Sequence, residues 1–265
     1  MINEGTGYYR AELIDSDGDP VDAFGDDHPD GLPIGFHVIH IRAPEASILI
    51  DAGFDEPGSA WDQAFSRDWF VKRTPGLTAA LATIGETQES ITHVVITHSH
   101  FDHIAGLTVD REAGKQPRFR NAQVLIGRAD YDRIGAGEAA SPDITNRLDA
   151  IRDHGLLQPV DDGYDVVPGV TMIHTGGESP GHSIVKVASQ ESEFLAVGDL
   201  FHYPFEIEHS DWMPPWADRF PMLEARSRIL EQAADSGATV IFSHHPFAPW
   251  GRIIRSLDRH TWQPA

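Results

Sequence analysis

Short β-branched apolar runs, separated by glycine-rich or polar breaks, recur along most of this chain and predict strands. Strands are expected near 35–43 and 46–51, at 91–97 (Ile-Thr-His-Val-Val-Ile-Thr), at 123–127, and as a series from 157 to 198. Helical spacing is found near 76–85, 128–134 and 142–154. It is clearest at 218–236, where Phe220, Leu223, Ile229, Leu230 and Ala233 form one apolar stripe. A last apolar run, 238–243, reads as a further strand. Periodicity by itself therefore establishes mixed α and β structure. Residues 1–34 differ, being polar, acidic and rich in Gly and Pro. They read as an arm over a site, a contact to another copy, or a weakly ordered extension. With 265 residues and 40% hydrophobic content, the chain suits one large domain spanning 1–265.

The ends of the strands carry the candidate chemistry. The run at 91–97 opens into Thr97-His-Ser-His-Phe-Asp-His-Ile-Ala-Gly106, which places His98, His100, Asp102 and His103 within six positions. A sheet holds such a loop rigidly and leaves one side open, so nitrogen and oxygen donors packed this densely point to metal binding. His98 and His100 can turn toward one ion, while Asp102 and His103 reach a second if the loop curls into a short helix. Four donors do not complete two coordination spheres. Further donors stand where later apolar runs meet polar loops. His182 lies in Thr175-Gly-Gly-Glu-Ser-Pro-Gly-His-Ser183, Asp199 follows Phe194-Leu-Ala-Val-Gly198, and His244 follows Ala238-Thr-Val-Ile-Phe-Ser243. That recurrence favours one shared site over scattered loop residues.

In this order and spacing, His98-x-His100-x-Asp102-His103, His182, Asp199 and His244 resemble the metallo-β-lactamase superfamily of metallohydrolases, over about residues 35–254. Leu49-Ile-Asp-Ala-Gly53 is similar to the superfamily's early strand ending in Asp-x-Gly, a structural feature with no expected metal role. The resemblance implies an α+β fold, a four-layer αββα sandwich. It also implies that His98, His100 and His182 hold one divalent ion, that Asp102, His103 and His244 hold another, and that Asp199 bridges them. Such a donor set suits zinc and admits manganese, cobalt or iron. The absence of cysteine excludes a thiolate-ligated lactamase site, and the H-x-H-x-D-H spacing differs from the H-x-E-x-D-H of flavodiiron oxidoreductases. Ser243-His-His-Pro-Phe-Ala-Pro-Trp-Gly-Arg-Ile253 resembles the H-x-P-F-P-x-x-G-R ending of the branch that contains quorum-quenching lactonases and methyl-parathion-type phosphotriesterases. That alignment selects His244 as the ligand and leaves His245 to packing.

Two departures stand out. Many lactonases of the branch carry a tyrosine three positions after the bridging aspartate, where this chain has His202, with Tyr203 next to it. The usual T-P-G-H-x-x-G-H loop has Gly176 and Glu178 in place of its proline and first histidine. Glu178 reads either as an acceptor that orients a ligand histidine or as a solvated loop carboxylate. The ligand set implies two ions about 3.5–4 Å apart sharing a bridging hydroxide that attacks a lactone or other carboxylic ester. Asp102 would carry the proton to the leaving group, and His202 or Tyr203 would donate to the developing oxyanion. The aromatic segment 201–216 reads as a loop in which Phe205, Trp212, Met213 and Trp216 wall a pocket for a small-molecule substrate or anchor a homodimer. The same scaffold admits a phosphotriesterase, a glyoxalase-II-like thioesterase, a mononuclear iron dioxygenase or a noncatalytic ligand sensor. Retention of all seven donors argues against the sensor.

Charge narrows the partners. A formal charge of −21, from 41 acidic and 20 basic residues, disfavours nucleic acid, whose phosphates draw affinity from basic side chains. Acidic residues cluster from Asp15 to Asp30, which fits either solubility or a saline habitat. No apolar run is long enough to span a membrane and no leader pattern opens the chain, so neither a span nor a cleaved signal is expected. Cytoplasm is then the simplest setting.

Overall fold

The computed structural model describes residues 1–25, 31–112, 114–138, 141–190, 192–247, 249–257 and 259–265. The chain begins with β1 (Ile2–Tyr9), α1 (Pro20–Phe24), β2 (Leu32–Ala43), β3 (Ala46–Ile50), α2 (Ala60–Asp68) and β4 (Lys72–Arg73). It continues through α3 (Leu77–Thr83), β5 (His93–Ile96), α4 (Phe101–Ile104), the hairpin β6 (Thr108–Arg111) and β7 (Gly114–Pro117), then β8 (Gln123–Gly127). Next come α5 (Arg128–Gly135), α6 (Pro142–Asp153), β9 (Leu157–Val160), β10 (Tyr164–Val167), β11 (Val170–His174), β12 (Ser183–Ser189) and β13 (Ser192–Ala196). The last elements are α7 (Phe205–Glu208), α8 (Arg219–Ser236), β14 (Thr239–Ile241), β15 (Trp250–Ser256) and β16 (Arg259–Pro264).

Two seven-stranded mixed sheets result, ordered β4-β1-β2-β3-β5-β8-β9 and β10 through β16 in sequence. The strands β3, β5, β8 and β9 pair in parallel, as do β13 and β14. Successive side chains of a strand face opposite ways, so a strand covered on both faces must be apolar throughout. In β5, Val94 and Ile96 pack outward with Leu77 and Leu81 of α3 and with Ile144, Leu148 and Ile151 of α6. Val95 between them faces inward, joining Ile48, Ile50 and Leu125 against Met172, Val185 and Ala196 of the second sheet. On the far side, Ile184, Leu195 and Val240 pack under Met222, Ala225, Ile229, Leu230 and Ala233 of α8. Helix, sheet, sheet and helix therefore stack as four layers, the αββα sandwich.

Several expectations need correction. Residues 2–9 are not an arm but β1, an antiparallel strand between β2 and β4 in the first sheet. Positions 26–30, which belong to both the expected arm and the acidic cluster, lie outside the described residues. Phe220 does not join the core stripe of α8, being 83% exposed. It lies two residues, about 200° of rotation, from Met222, which starts the buried face. Helix α2 and the closing hairpin β15–β16 have no counterpart among the sequence-based expectations. No helix among the described residues is long and apolar enough to cross a membrane.

Candidate metal centre

Strand ends deliver the predicted donors to one place. Asp51 follows β3, His98 follows β5, Asp199 sits in a short turn after β13, and His244 follows β14. His182 immediately precedes the antiparallel β12, and Asp102 and His103 lie on the single turn of α4. The two sheets are stitched at this end: Gly35 N–H donates to the His244 carbonyl at 2.7 Å, and Ser183 N–H to the Thr97 carbonyl at 2.8 Å. Gly198 makes the approach possible. Its φ of +53° is a left-handed conformation, and a Cβ there would lie 2.8 Å from His182 Nε2.

Among the described residues the donors form two groups, each with ligand atoms within 4.8 Å of one another: His98, His100, Glu178 and Asp199, and then Asp102, His103 and His244. Asp199 faces both. Its Oδ1 lies 3.2 Å from His103 Nε2 and 3.0 Å from His244 Nε2, while its Oδ2 lies 3.5 Å from His98 Nε2. His182 stands beside the first group, its ring centre 5.3 Å from that of His98, and its Nε2 accepts the Asp199 N–H at 3.1 Å.

Outer contacts fix which nitrogen of each ring carries the proton. His103 Nδ1 lies 2.8 Å from Asp51 Oδ2, and His244 Nδ1 lies 2.9 Å from the Gly35 carbonyl, so both donate outward. His98 Nδ1 faces Thr97 Oγ1 at 3.1 Å, and Thr97 passes its own hydroxyl proton to Asp51 at 3.0 Å. His182 Nδ1 meets Thr175 Oγ1 at 2.6 Å, and that hydroxyl donates to the His182 carbonyl. His98, His103 and His244 therefore turn an Nε2 lone pair inward, whereas that of His182 is taken by the Asp199 N–H, which sets His182 beside the donor group rather than in it. His103 and His244 present theirs to each other at 3.2 Å, an arrangement that a proton or a metal cation between them relieves. His98 Nε2, Asp199 Oδ1 and Glu178 Oε2 are buried without a hydrogen-bond partner among the described residues. These side chains fit divalent metal binding.

The carboxylates around the site favour positive charge there. Burial pulls His103 down, yet Asp199, Asp51 and Asp102 outweigh it and hold the ring well above the usual histidine range. Burial and neighbouring His103 drive His98 well below that range, and burial takes His182 to about 3. Burial favours a protonated Asp199, but His244, His103 and His98 keep it well below the carboxylate range.

Above the donors lies a cavity of about 400 Å³, lined by Asp102, Asp199, His202, Glu178 and Trp216 together with Tyr9, Leu13, Ile34, Phe36, Phe65, Trp69 and Phe101. His202 faces the cavity, with Nε2 3.3 Å from Asp199 Oδ2. Tyr203 does not. It is fully buried, stacked on Phe205 at 5.2 Å and edge-on to Phe24 at 5.6 Å, because consecutive residues of this turn point to opposite sides. Phe205, Trp212 and Met213 also fail to line the cavity. They are buried in the packing beneath it, which leaves them no surface for a second copy either; Trp216 alone of that set lines the wall. The tyrosine that does face the cavity is Tyr9, whose ring lies 5.9 Å from that of His202. Sequence reasoning missed it because β1 looked polar. It also missed Asp130, which accepts from Ser99 N–H, Ser179 Oγ and Gly181 N–H and so ties the two ligand loops together. A lone Asp at the start of an ordinary helix gives no such signal. His245 packs edge-on to Phe242 and Phe24, with no donor role.

Comparison with known proteins agrees with this geometry. The family profile described as "Metallo-beta-lactamase superfamily" matches residues 37–244. An N-acyl homoserine lactonase of Bacillus cereus is 25% identical over 222 residues, covering 80% of this chain and 81% of the relative. A solved structure of a probable metal-dependent hydrolase from Staphylococcus aureus superposes with a TM-score of 0.83 at 21% identity, covering 100% of this chain and 96% of its own. AidC, a dizinc quorum-quenching lactonase solved in complex with a product, an N-acyl homoserine, superposes with a TM-score of 0.81 at 21% identity, covering 99% and 92%.

Proposed function

The chain belongs to the metallo-beta-lactamase superfamily, and on that premise we propose that it is a dinuclear metal-dependent hydrolase that opens lactones bearing an apolar acyl chain, of the N-acyl homoserine lactone class. One observation carries this reading: two groups of inward lone pairs converge on the two oxygens of Asp199 at the floor of an apolar cavity. His98 and His100 would hold one ion, Asp102, His103 and His244 the other, and Asp199 would join them; His182, expected from the sequence as a third ligand of the first ion, instead accepts the Asp199 N–H and would hold that aspartate in place. Divalent ions held there, zinc by default, would supply a water acidic enough to attack at neutral pH and would polarise the substrate carbonyl.

The protein's own groups do the rest. Asp102 lines the cavity with its carboxylate 3.6 Å from His244 Nε2. It takes the proton of the attacking water and returns it to the ring oxygen as the acyl C–O bond breaks, giving a hydroxy acid. Burial pulls His202 down, but Asp199 and Glu206 outweigh it and raise the ring, which favours an N–H that would donate to the carbonyl oxygen as negative charge develops there. Glu206 Oε2 accepts the backbone N–H groups of His202 and Tyr203 and fixes that turn. Phe36, Phe65, Trp69 and Leu13 form the wall against which an acyl chain would lie.

The test is metal analysis joined to a substrate panel. Two ions per chain and a kcat/KM for acyl homoserine lactones above that for aryl esters, thioesters and phosphotriesters are expected. A single iron with oxygen consumption, or a phosphotriester turned over faster than every lactone, would overturn the reading.

A further inference from the structure

Glu178 occupies a position that the donor assignment above leaves unused. The loop from Thr175 to His182 is pinned on α8: Asp218 N–H donates to the Gly177 carbonyl at 2.8 Å, and a Cβ on Gly177 would lie 2.8 Å from Met222 Cα. Gly177 at φ +90° turns the chain so that the Glu178 side chain enters the site, with none of its surface exposed. Trp216 Nε1 donates to Oε1 at 2.7 Å, and the same oxygen lies 3.4 Å from His100 Nδ1. Oε2 is buried and has no hydrogen-bond partner among the described residues. No Lys or Arg forms an ion pair with this carboxylate among the described residues; its facing groups are His100, His202 and Asp199, with Arg226 and Tyr9 in electrostatic reach. An anion buried this way is expensive unless a cation meets it. One of its oxygens already lies within 4.8 Å of the ligand atoms of His98, His100 and Asp199.

We propose that Glu178 is a direct ligand of the cation held by His98 and His100, adding a second carboxylate to a site otherwise built from imidazoles and Asp199. Trp216 holds Oε1 beside His100, that oxygen keeps a second lone pair, and Oε2 has no partner among the described residues, so the carboxylate has acceptor capacity to spare for the ion. A second carboxylate makes this site harder than imidazoles with Asp199 alone would be, and raises its relative affinity for Mn²⁺, Fe²⁺ or Co²⁺ against Zn²⁺. The proposal rests on the dinuclear reading above and is tested separately from it.

Metal-stripped wild-type protein and Glu178→Gln are titrated with Mn²⁺ and Zn²⁺ against a chromophoric chelator, and with Co²⁺ while the visible d–d absorption is recorded. For the variant, the Mn²⁺ Kd of one site should rise about tenfold or more, and by more than the Zn²⁺ Kd. The Co²⁺ absorption should strengthen as that ion loses a ligand. An unchanged Co²⁺ spectrum overturns the proposal even if affinity falls, because a carboxylate that only orients His100 would leave the ligand count as it was. If Glu178→Gln lacks the wild-type far-UV dichroism, Glu178→Asp carries the test. Its carboxylate sits one methylene back, and the same spectral and Mn²⁺ changes are expected; unchanged values overturn the proposal. Wild-type protein binding fewer than two ions would instead defeat the dinuclear reading.

Discussion

Replacing Asp51 by asparagine isolates the part played by a residue that touches no cation. Asp51 sits at φ +62°, a left-handed conformation that asparagine also tolerates, so the backbone is conserved. Its Oδ1 accepts the Thr97 N–H at 2.8 Å and the Thr97 hydroxyl at 3.0 Å; its Oδ2 accepts His103 Nδ1–H at 2.8 Å. An asparagine must keep its oxygen toward the Thr97 N–H, which leaves its NH₂ facing His103 Nδ1. A donor now meets a donor, and relief comes when His103 shifts its proton to Nε2, the atom that should bind the ion. Outer partners of this kind typically contribute about ten- to a hundredfold in metal affinity, or about 1.4–2.7 kcal/mol. The loss should fall on the Asp102–His103–His244 site, leaving one tight and one weak ion per chain. Chelator competition reads both constants, and ¹⁵N shifts of the histidine rings read the tautomer. A D51N protein that keeps its Nδ1–H tautomer and holds both ions within about threefold of wild type would refute the reasoning.

Other perturbations test neighbouring links. Gly198→Ala places a side chain at φ +53° and 2.8 Å from His182 Nε2, so denaturant unfolding should show a loss of about 1–3 kcal/mol, with reduced metal occupancy by elemental analysis. Trp69→Ala removes a half-buried cavity wall stacked on Phe65; kcat/KM should fall about tenfold for long-chain acyl lactones and little for short-chain ones. Arg226→Met leaves Glu206 buried without the guanidinium 3.4 Å away, and urea midpoints should report a loss of about 3–5 kcal/mol. Burial raises the Glu206 pKa, but Arg226 and His202 outweigh it, so the folded value lies below the ordinary 4.5. Its contribution is therefore present above the unfolded value and lost as pH falls through the folded one; Glu206→Gln should flatten the loss of stability on acidification below about pH 4.5.

The chemistry was legible because each donor breaks an apolar run. His98, Asp199 and His244 end strands whose both-face burial makes the preceding residues uniformly hydrophobic, so the change of character marks the place. Asp51 breaks a run in the same way, and its position was visible while its work on His103 was not, since that depends on a contact between residues far apart in sequence. The walls were hidden for a different reason. In segment 201–216 aromatic density reads as pocket lining or a dimer anchor, yet Phe205, Trp212 and Met213 are core. Large apolar side chains bury in either setting, and composition does not distinguish them. Strand β1 carries its buried positions among glycines, Asn3 and Glu4, so its period-two pattern was masked; Glu4 itself is buried, accepting the Phe54 N–H at 2.7 Å.

This division has a physical basis. Lone pairs that meet at about 3 Å tolerate little displacement, so the donors are set on strand ends where both sheets and their cross-links fix them. An apolar wall demands only area, and β1, the residues following it and α2 supply it from outside the central strands through Tyr9, Leu13, Phe65 and Trp69. Substitutions in that outer set can change which acyl group fits without moving a single metal ligand. His202 stands at the junction, with Asp199 on one side and the Tyr9 ring on the other. A Tyr9→Phe variant, which keeps the wall and removes only the hydroxyl donating to the Leu13 carbonyl, should leave metal content unchanged and shift KM more than kcat; the opposite split would place Tyr9 with the reacting atoms rather than with the wall.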